Sequence, residues 1–322
     1  MNHRLALFSA ALALTLPLAG PAAAQSYPDK PVTLVVPYPP GGNVDISARI
    51  LAEALSRKFK QTFVVENKAG AGGQIGGNYV ARSTPDGYTL FVSSNGPLQI
   101  AELVFAKPMY QWKQVFQPIS TIALSPVVLT ASPKLTVNSV DELLAKAKAE
   151  PMVMGSPGAG TINHLASELL QLQSGVKWDT AHYRGNAPEI TDLIGGQVLF
   201  SFEQTTVAMP YYTSGKLRPL AVASSERVPM LPNVPTMKEL GYKDYEAVTY
   251  TALVAPKDTP KAVVDALAAA TREVLAEPDV AKRLTDSHAI PHGLSPEETT
   301  RFLDAETAKW SEVIRRANIT AE

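Results

Sequence analysis

A glycine-rich stretch in the middle of the chain has the residue types that bind anions without a charged side chain. Residues 155–170 read GSPGAGTINHLASELL and directly follow the short apolar run Met152, Val153 and Met154. A strand, a glycine-rich turn and a helix N-terminus together present backbone N–H groups beside the positive end of the helix dipole. This turn therefore predicts a site for a phosphate, a dinucleotide or a carboxylate.

The spacing inside this turn argues against a nucleotide. Gly158 and Gly160 begin the dinucleotide fingerprint, but Asn163 stands where its third glycine should be. The chain also lacks the Gly-Lys-Ser or Gly-Lys-Thr of a phosphate-binding loop. What remains is backbone N–H groups with the hydroxyls of Ser156 and Thr161, which suits a small anion.

Two further glycine-rich turns follow predicted strands. Residues 37–45 read PYPPGGNVD, in which Gly41 and Gly42 let a ligand approach the backbone and Asn43 or Asp45 can cap the next helix. A plain strand-to-helix turn is the alternative. Residues 67–77 read NKAGAGGQIGG, but the fingerprint that starts there would need a small residue where Ile75 stands. We interpret this second turn as structural.

Polar residues at the ends of other predicted strands are further candidates for a binding site. Ligands of open α/β sheets collect at the carboxyl ends of strands. Ser94 and Asn95 lie in such a turn. Arg184 offers several donors to a carboxylate, with an ion pair as the alternative. Glu203 could receive a cationic group or face solvent.

Catalytic motifs are absent from the sequence. There is no Gly-x-Ser-x-Gly elbow, no His-Glu-x-x-His pair and no acidic calcium loop. His164 lies in the first turn of the helix after the opening motif, far in sequence from the other histidines. The sequence predicts no metal and no cofactor, and a hydrolase that uses Ser156 with His164 or His182 stays open as an alternative.

The N-terminus predicts export. A basic residue, Arg4, precedes an apolar run over residues 5–16 and the small residues 22–24, which indicates a secretory signal cleaved near Ala24. The run is shorter than the roughly 20 residues that span a bilayer. After cleavage 28 basic residues face 30 acidic ones, because Arg4 is lost from the 29 in the chain. This balance and the absence of cysteine favour a soluble periplasmic monomer that does not bind nucleic acid.

The pattern along the chain predicts an α/β fold. Short apolar runs alternate with helical spacing, which is typical of mostly parallel sheets with right-handed crossovers. Proline-rich punctuation at residues 132–133 and 228–235 suggests an inserted domain. We predict a signal peptide at 1–24, a first domain at 25–125, an inserted second domain at 126–247 and a return to the first domain at 248–322.

Six segments in order give the chain a family resemblance over residues 27 to about 316. They are YPDKPVTLVVPYPPGGNVDISARILAEAL, VVENKAGAGGQIGGNYVARSTPDGYTLFV, GSPGAGTINHLASELL, YRGNAPEITDLIGGQV, GKLRPLAV and LPNVPTMKELGY. The chain resembles the Bug-type extracytoplasmic solute receptors, which are the periplasmic binding components of tripartite tricarboxylate transporters. The resemblance implies a type II-like periplasmic binding protein with a ligand cleft between two α/β domains. It also implies membrane permease subunits as partners and no enzymatic activity.

In this family two turns act as pincers on one carboxylate. The resemblance assigns Tyr38, Gly41, Gly42 and Asp45 to one pincer and Ser156, Gly158, Ala159, Gly160 and Thr161 to the other. Members often have aspartate where Glu203 stands, in the part of the cleft that sorts ligands. Dicarboxylates, acidic amino acids and aromatic acids therefore all stay open as ligands, and a sensory membrane partner is the alternative to a permease.

Overall fold

The computed structural model describes residues 27–320 as ten strands and eleven helices. The predicted signal peptide and its cleavage near Ala24 lie outside the described residues. The strands are β1 (Val32–Val36), β2 (Phe63–Asn67), β3 (Thr89–Ser93), β4 (Phe116–Ala131), β5 (Val153–Ser156), β6 (Asp179–His182), β7 (Phe200–Gln204), β8 (Arg218–Val222), β9 (Val248–Pro256) and β10 (Ile290–Pro291).

The helices alternate with these strands through most of the chain. They are α1 (Asn43–Phe59), α2 (Gln74–Ala81), α3 (Ala101–Val104), α4 (Trp112–Val115), α5 (Val140–Ala149), α6 (Ile162–Ser174), α7 (Asn186–Gly195), α8 (Thr205–Thr213), α9 (Lys261–Leu275), α10 (Pro278–Asp286) and α11 (Pro296–Ala317). A π-helical turn, Gly96–Ile100, leads into α3. None of the helices in the described part is long and apolar enough to cross a membrane.

The strands form one sheet in the order β2-β1-β3-β9-β4-β7-β5-β6, and β8 and β10 also pair with β4. Strands β1, β2 and β3 are parallel to one another, as are β5, β6 and β7. The pairs in the centre, β3 with β9 and β4 with β9, β7, β8 and β10, are antiparallel. Parallel pairing as predicted thus holds on the two flanks, whereas the centre makes the sheet mixed.

We call the part around β1–β3 the first lobe and the part around β5–β8 the second lobe. Strand β4 belongs to both, because its first part pairs with β9 as far as Pro126, while Val127 to Ala131 pair with β7. The chain returns to the first lobe in β9, where Val248 faces Pro126. Two antiparallel strands therefore connect the lobes side by side, which is a geometry that permits hinge bending.

Separate apolar cores stabilise the two lobes. In the first lobe, Leu34, Leu51 and Leu253 belong to a core that joins the sheet to α1 and α9. In the second lobe, Leu165 and Phe202 belong to a core that joins the sheet to α5 and α6. Burial of this apolar surface is the main stabilising term for each lobe.

Helix α11 contacts both lobes. Leu303 packs in a core of the first lobe, whereas Trp310, Val313 and Ile314 pack in the core of the second. The predicted division at 25–125, 126–247 and 248–322 stays a prediction, and α11 is the element that a boundary drawn at 248 assigns to a single domain although it packs on both.

Candidate ligand-binding cleft

The first loop, residues 37–42, connects β1 to α1. Gly41 has a φ of +91°, a backbone conformation that glycine adopts without steric cost. A Cβ placed on Gly41 or Gly42 would have no heavy atom within 4 Å. Helix α1 begins at Asn43, with Gly42 as its extended N-cap and no side chain capping it. The loop therefore leaves open space beside the positive end of a long helix.

The buried carboxylate of Asp45 ties this loop to the helix. It accepts the N–H of Gly41 at 2.9 Å, both Nε and Nη2 of Arg49 at 3.0 and 2.9 Å, and Nδ2 of Asn67 at 2.9 Å. Burial disfavours the charged form, but the hydrogen bonds from Arg49, Gly41 and Asn67 outweigh it and lower the pKa of Asp45. Asp45 is thus an anion that organises the first loop.

The second loop, residues 157–161, connects β5 to α6. Thr161 is the N-cap of α6, and its Oγ1 accepts the N–H of His164 at 3.4 Å and donates to the carbonyl oxygen of Gly158 at 2.8 Å. The hydroxyl of Ser156 also donates to the carbonyl oxygen of Gly158, at 3.0 Å. These bonds fix the loop in one conformation.

In both loops a glycine N–H donates to a side chain four residues later, in the first turn of the following helix. The N–H of Gly160 donates to Nδ1 of His164 at 3.2 Å, as the N–H of Gly41 donates to Asp45. Within residues 27–320, the adjacent N–H groups of Gly42 and Ala159 donate to no protein acceptor. Each loop therefore has one glycine N–H that is occupied internally and a neighbouring N–H that can donate to a ligand.

His164 is neutral in this arrangement. Burial, and then the nearby His182, lower its pKa to about 4. The rings of His164 and His182 lie 4.6 Å apart edge to face. Because Nδ1 accepts a hydrogen bond from Gly160, a neutral His164 fits the second loop and an imidazolium does not. Across residues 27–320 no group of three or more His, Asp or Glu residues is arranged to hold a metal ion.

The two loops meet at Gly96, the first residue of the π-helical turn. A Cβ placed on Gly96 would lie 3.1 Å from Oη of Tyr38 and 3.8 Å from the carbonyl oxygen of Gly160. Oη of Tyr38 also lies 3.1 Å from Oγ of Ser94. Burial raises the pKa of Tyr38 to about 12, so its hydroxyl stays protonated. The structure thus brings the first loop, the turn at Ser94 and the second loop to one place.

Asn95, which follows Ser94, hydrogen-bonds to the backbone of β9. Its side chain donates to the carbonyl oxygen of Val248 and accepts the N–H of Tyr250, both at 3.2 Å. Asn95 is fully buried, and its amide joins the end of β3 to the connecting strand β9. The structure therefore places Asn95 between β3 and the connecting strand β9, and its neighbour Ser94 beside the first loop.

A buried amide network, which the sequence analysis missed, lies behind the second loop. Nε2 of Gln204 donates to Oδ1 of Asn163 at 3.0 Å and lies 3.4 Å from Oγ1 of Thr249 in β9. Nδ2 of Asn186, at the start of α7, lies 3.1 Å from Oε1 of Gln204. These residues lie at predicted helix starts and at a predicted strand end, and this position in the sequence could have indicated them as site residues.

The remaining two candidate site residues, Arg184 and Glu203, differ in exposure. Arg184 is exposed in the segment beside the second loop, where the N–H of Gly185 donates to the carbonyl oxygen of Pro157 at 2.9 Å. In the described part of the chain Arg184 forms no ion pair. Glu203 has no exposed surface, so the expectation that it could face solvent was wrong. It lies in β7 among polar groups of its own lobe.

Comparison with known proteins identifies the family. Residues 47–319 match the family described as tripartite tricarboxylate transporter family receptor. Protein BugT of Bordetella pertussis (strain Tohama I) is 36% identical over 304 residues, which is 94% of this chain and 93% of that relative. The chain belongs to this receptor family. Its members are receptors and not enzymes, so the hydrolase alternative is excluded.

Solved structures of similar receptors have the same fold. An R. palustris protein solved with adipate is 33% identical, has a TM-score of 0.87, and the match covers 91% of this chain and 99% of that protein. The periplasmic binding protein BugD is 36% identical with a TM-score of 0.84, over 92% and 100% of the two chains. MatC from Rhodopseudomonas palustris, solved with bound malate, is 29% identical with a TM-score of 0.82, over 89% and 100%. The predicted α/β periplasmic binding protein fold is confirmed.

Proposed function

We propose that this receptor captures a small carboxylate between the first and second loops and delivers it to the permease subunits of a tripartite tricarboxylate transporter. The observation that carries the proposal is the meeting of the two loops at Gly96. The loops belong to different lobes, so an anion held by both favours the closed arrangement of the lobes. A ligand shifts such an equilibrium by its difference in affinity for the two states.

The chemistry of the loops favours a carboxylate. The free N–H groups of Gly42 and Ala159 and the protonated hydroxyl of Tyr38 are hydrogen-bond donors. Each of the two N–H groups lies next to the N-terminus of a helix, where the dipole favours negative charge. In this proposal Gly41, Asp45, Gly158, Gly160, Thr161 and His164 shape the loops, while Ser94 and Ser156 add hydroxyls to their surroundings.

We further propose that the preferred ligand is a dicarboxylate. The acids named with the solved relatives, adipate and malate, support this class. The guanidinium of Arg184 is exposed beside the second loop and offers a fork of donors to a second carboxylate. Glu203, the candidate anion for a cationic ligand group, already has a hydrogen-bond partner in the protein, and so does Asp45. Acidic amino acids and aromatic acids are therefore the weaker candidates.

The family supports a proposal about export and about the membrane partner. A receptor of this family acts in the periplasm, and residues 1–24 have the pattern of the signal that would bring it there. We propose permease subunits as its partners and a monomer as its state. A membrane sensor that reads the closed receptor is the alternative, which would leave the ligand chemistry unchanged.

The test is calorimetric titration of residues 25–322 with succinate, malate, adipate, glutamate and nicotinate. We expect saturable binding of at least one diacid, with loss of most of the affinity when one carboxylate is amidated. A protein that is folded and free of retained ligand but binds none of these acids would contradict the carboxylate proposal.

The role of Arg184 has a matched control in the chain. We expect Arg184→Gln to weaken binding of the diacid by roughly 10-fold or more, since hydrogen bonds between charged groups contribute about 1.5–3 kcal/mol. Arg82 is also exposed and forms no ion pair within residues 27–320, but it directly follows α2 and does not lie beside either loop. Arg82→Gln should leave the affinity unchanged. An equal effect of both substitutions would refute the assignment of Arg184.

A further inference from the structure

Two buried glutamates face each other in the second lobe. Glu189 lies in the first turns of α7 and Glu203 lies in β7, and neither has exposed surface. Their carboxyl groups are within hydrogen-bond range of each other. Glu203 also accepts from Oγ of Ser201 at 2.8 Å and lies 3.4 Å from Nδ2 of Asn186.

The buried carboxyl group of Glu189 lacks hydrogen-bond donors within residues 27–320. Neither of its carboxyl oxygens has a hydrogen-bond donor among the described residues. The hydroxyl of Ser201 is near enough to lower the pKa of Glu189, but its one proton is donated to Glu203. The side chain is also confined, because a Cβ placed on Gly155 would lie 2.9 Å from Oε1 of Glu189. Two carboxylates are acceptors only, so they cannot bond to each other. One proton on the pair turns an acceptor into a donor and supplies the missing bond.

No cation compensates for the pair. The ion pairs of residues 27–320 do not include Glu189 or Glu203. The titratable groups that influence the two carboxyls are Tyr212 from α8 and Tyr183, which follows β6. Both tyrosines are neutral, because burial first and then nearby carboxylates raise the pKa of each. Two unpaired buried charges at this distance would be strongly destabilising.

We propose that Glu189 and Glu203 share one proton at neutral pH, and that this proton holds α7 against β5 and β7. The pair would then carry a single negative charge, which Ser201 and Asn186 solvate. Loss of the proton places two like charges in contact inside the lobe, and separation of α7 from the sheet relieves the repulsion.

The shared proton also connects to the cleft. Nδ2 of Asn186 lies between Oε2 of Glu203 and Oε1 of Gln204, at 3.4 and 3.1 Å. Gln204 in turn contacts Asn163 at the start of α6 and Thr249 in the connecting strand β9. Movement of α7 would therefore disturb the amide network behind the second loop, and ligand affinity would fall together with stability.

The direction of the pH dependence follows from the pKa shifts. Burial, and then repulsion by Glu203, raise the pKa of Glu189 well above its usual range, and burial raises that of Glu203. A carboxyl with a raised pKa in the folded state contributes stability that is present below the unfolded pKa and is lost as pH rises through the folded pKa. The protein should therefore become less stable from about pH 4.5 upward because of this pair.

The experiment compares wild type with Glu189→Gln across pH 5 to 9. The substitution keeps the shape of the side chain and gives Glu203 an amide donor, so it removes the requirement for a proton. In chemical denaturation, the unfolding equilibrium constant of wild type should rise relative to that of the variant by up to about 10-fold per pH unit. Glu226→Gln, at an exposed position, should follow wild type.

Infrared spectroscopy gives a second readout that does not depend on stability. Wild type at pH 7 should show the carbonyl band of a protonated carboxyl group, and Glu189→Gln should lose intensity there while Glu226→Gln does not. An identical pH dependence of wild type and Glu189→Gln, together with an unchanged carboxyl band, would overturn the proposal. If Glu189→Gln does not fold, a wild-type spectrum with no protonated carboxyl at pH 7 would overturn it alone.

Discussion

Replacement of Asp45 by alanine tests how the first loop is held. The carboxylate accepts four hydrogen bonds from three residues, Gly41, Arg49 and Asn67, and its side chain is almost completely buried. Alanine removes all four bonds. It leaves the N–H of Gly41 and the amide of Asn67 without this acceptor, and it frees the loop from the helix.

The expected loss of unfolding free energy depends on how exposed the hydrogen-bond partners of Asp45 are. A hydrogen bond to a charged group contributes about 1.5–3 kcal/mol, and an orphaned buried donor has a cost of similar size. Arg49 is half exposed, so water replaces its partner and its ion pair contributes little. We therefore expect Asp45→Ala to lower the free energy of unfolding by about 2–4 kcal/mol. For a chain of this size this corresponds to a decrease of roughly 3–6 °C in Tm.

The assay is thermal and chemical denaturation of wild type, Asp45→Ala and Asp265→Ala. Asp265 is the matched control, because it also forms an i,i+4 ion pair, with Lys261, but on an exposed face of α9. Its loss should cost no more than about 0.5 kcal/mol. Equal effects of the two substitutions would refute the reasoning that burial and the bond to Gly41 make Asp45 important.

The same variant has a pH signature. Because the pKa of Asp45 is lowered in the folded state, its contribution is present above the unfolded pKa of about 4 and is lost as pH falls through the folded value. The difference in stability between wild type and Asp45→Ala should therefore shrink below about pH 4. A difference that stays constant down to pH 2 would show that the charge of Asp45 does not matter.

Three further substitutions probe the two loops. Tyr38→Phe removes the hydroxyl that lies 3.1 Å from Oγ of Ser94 and should weaken ligand binding in calorimetry without lowering Tm, so unchanged affinity would exclude this hydroxyl as a ligand contact. Gly160→Ala places an alanine at a φ of +69°, with its Cβ 3.0 Å from Cγ2 of Val104. It should lower the free energy of unfolding in urea by about 1–3 kcal/mol, and an unchanged urea midpoint would contradict the expected backbone strain. His164→Gln removes a group whose pKa of about 4 in the folded state lies below its ordinary value of 6.5. The wild type should therefore lose stability as pH falls from 6.5 to 4, and the melting curves of the variant should lack this loss.

The sequence predicted the elements whose signals are local. Helix α5 follows Ser139, whose side chain caps it, and strand β1 is a short apolar run before a proline-rich turn. The residue pattern predicts a strand over residues 32–36 and a helix over residues 140–149, which are the bounds observed. The same pattern predicts strand β4 only over residues 127–130, because its prolines Pro118 and Pro126 resemble breaks. It does not indicate helices α8 and α10, and α8 contains Pro210 in its interior.

The two glycine-rich loops can be recognised in the sequence, whereas the contacts behind them cannot. Glycines before a helix start can be recognised locally, which is why Gly41 and Gly160 were found. That Asp45 and His164 occupy the N–H groups of these glycines depends on side-chain rotamers. The proximity of Glu189 and Glu203 depends on how α7 packs on β7, and periodicity of the sequence does not contain this information.

The path of the chain through β4 and β9 has a consequence for biosynthesis. The first lobe needs β9 between β3 and β4, so its sheet is complete only after residue 256 has been made. Until then the edge of β3 and one edge of β4 have no partner strand, although most of the chain has left the ribosome. Such long-range pairing slows folding. For the same reason, a fragment that ends before Val248 would expose two open strand edges and should aggregate instead of forming an independent first lobe.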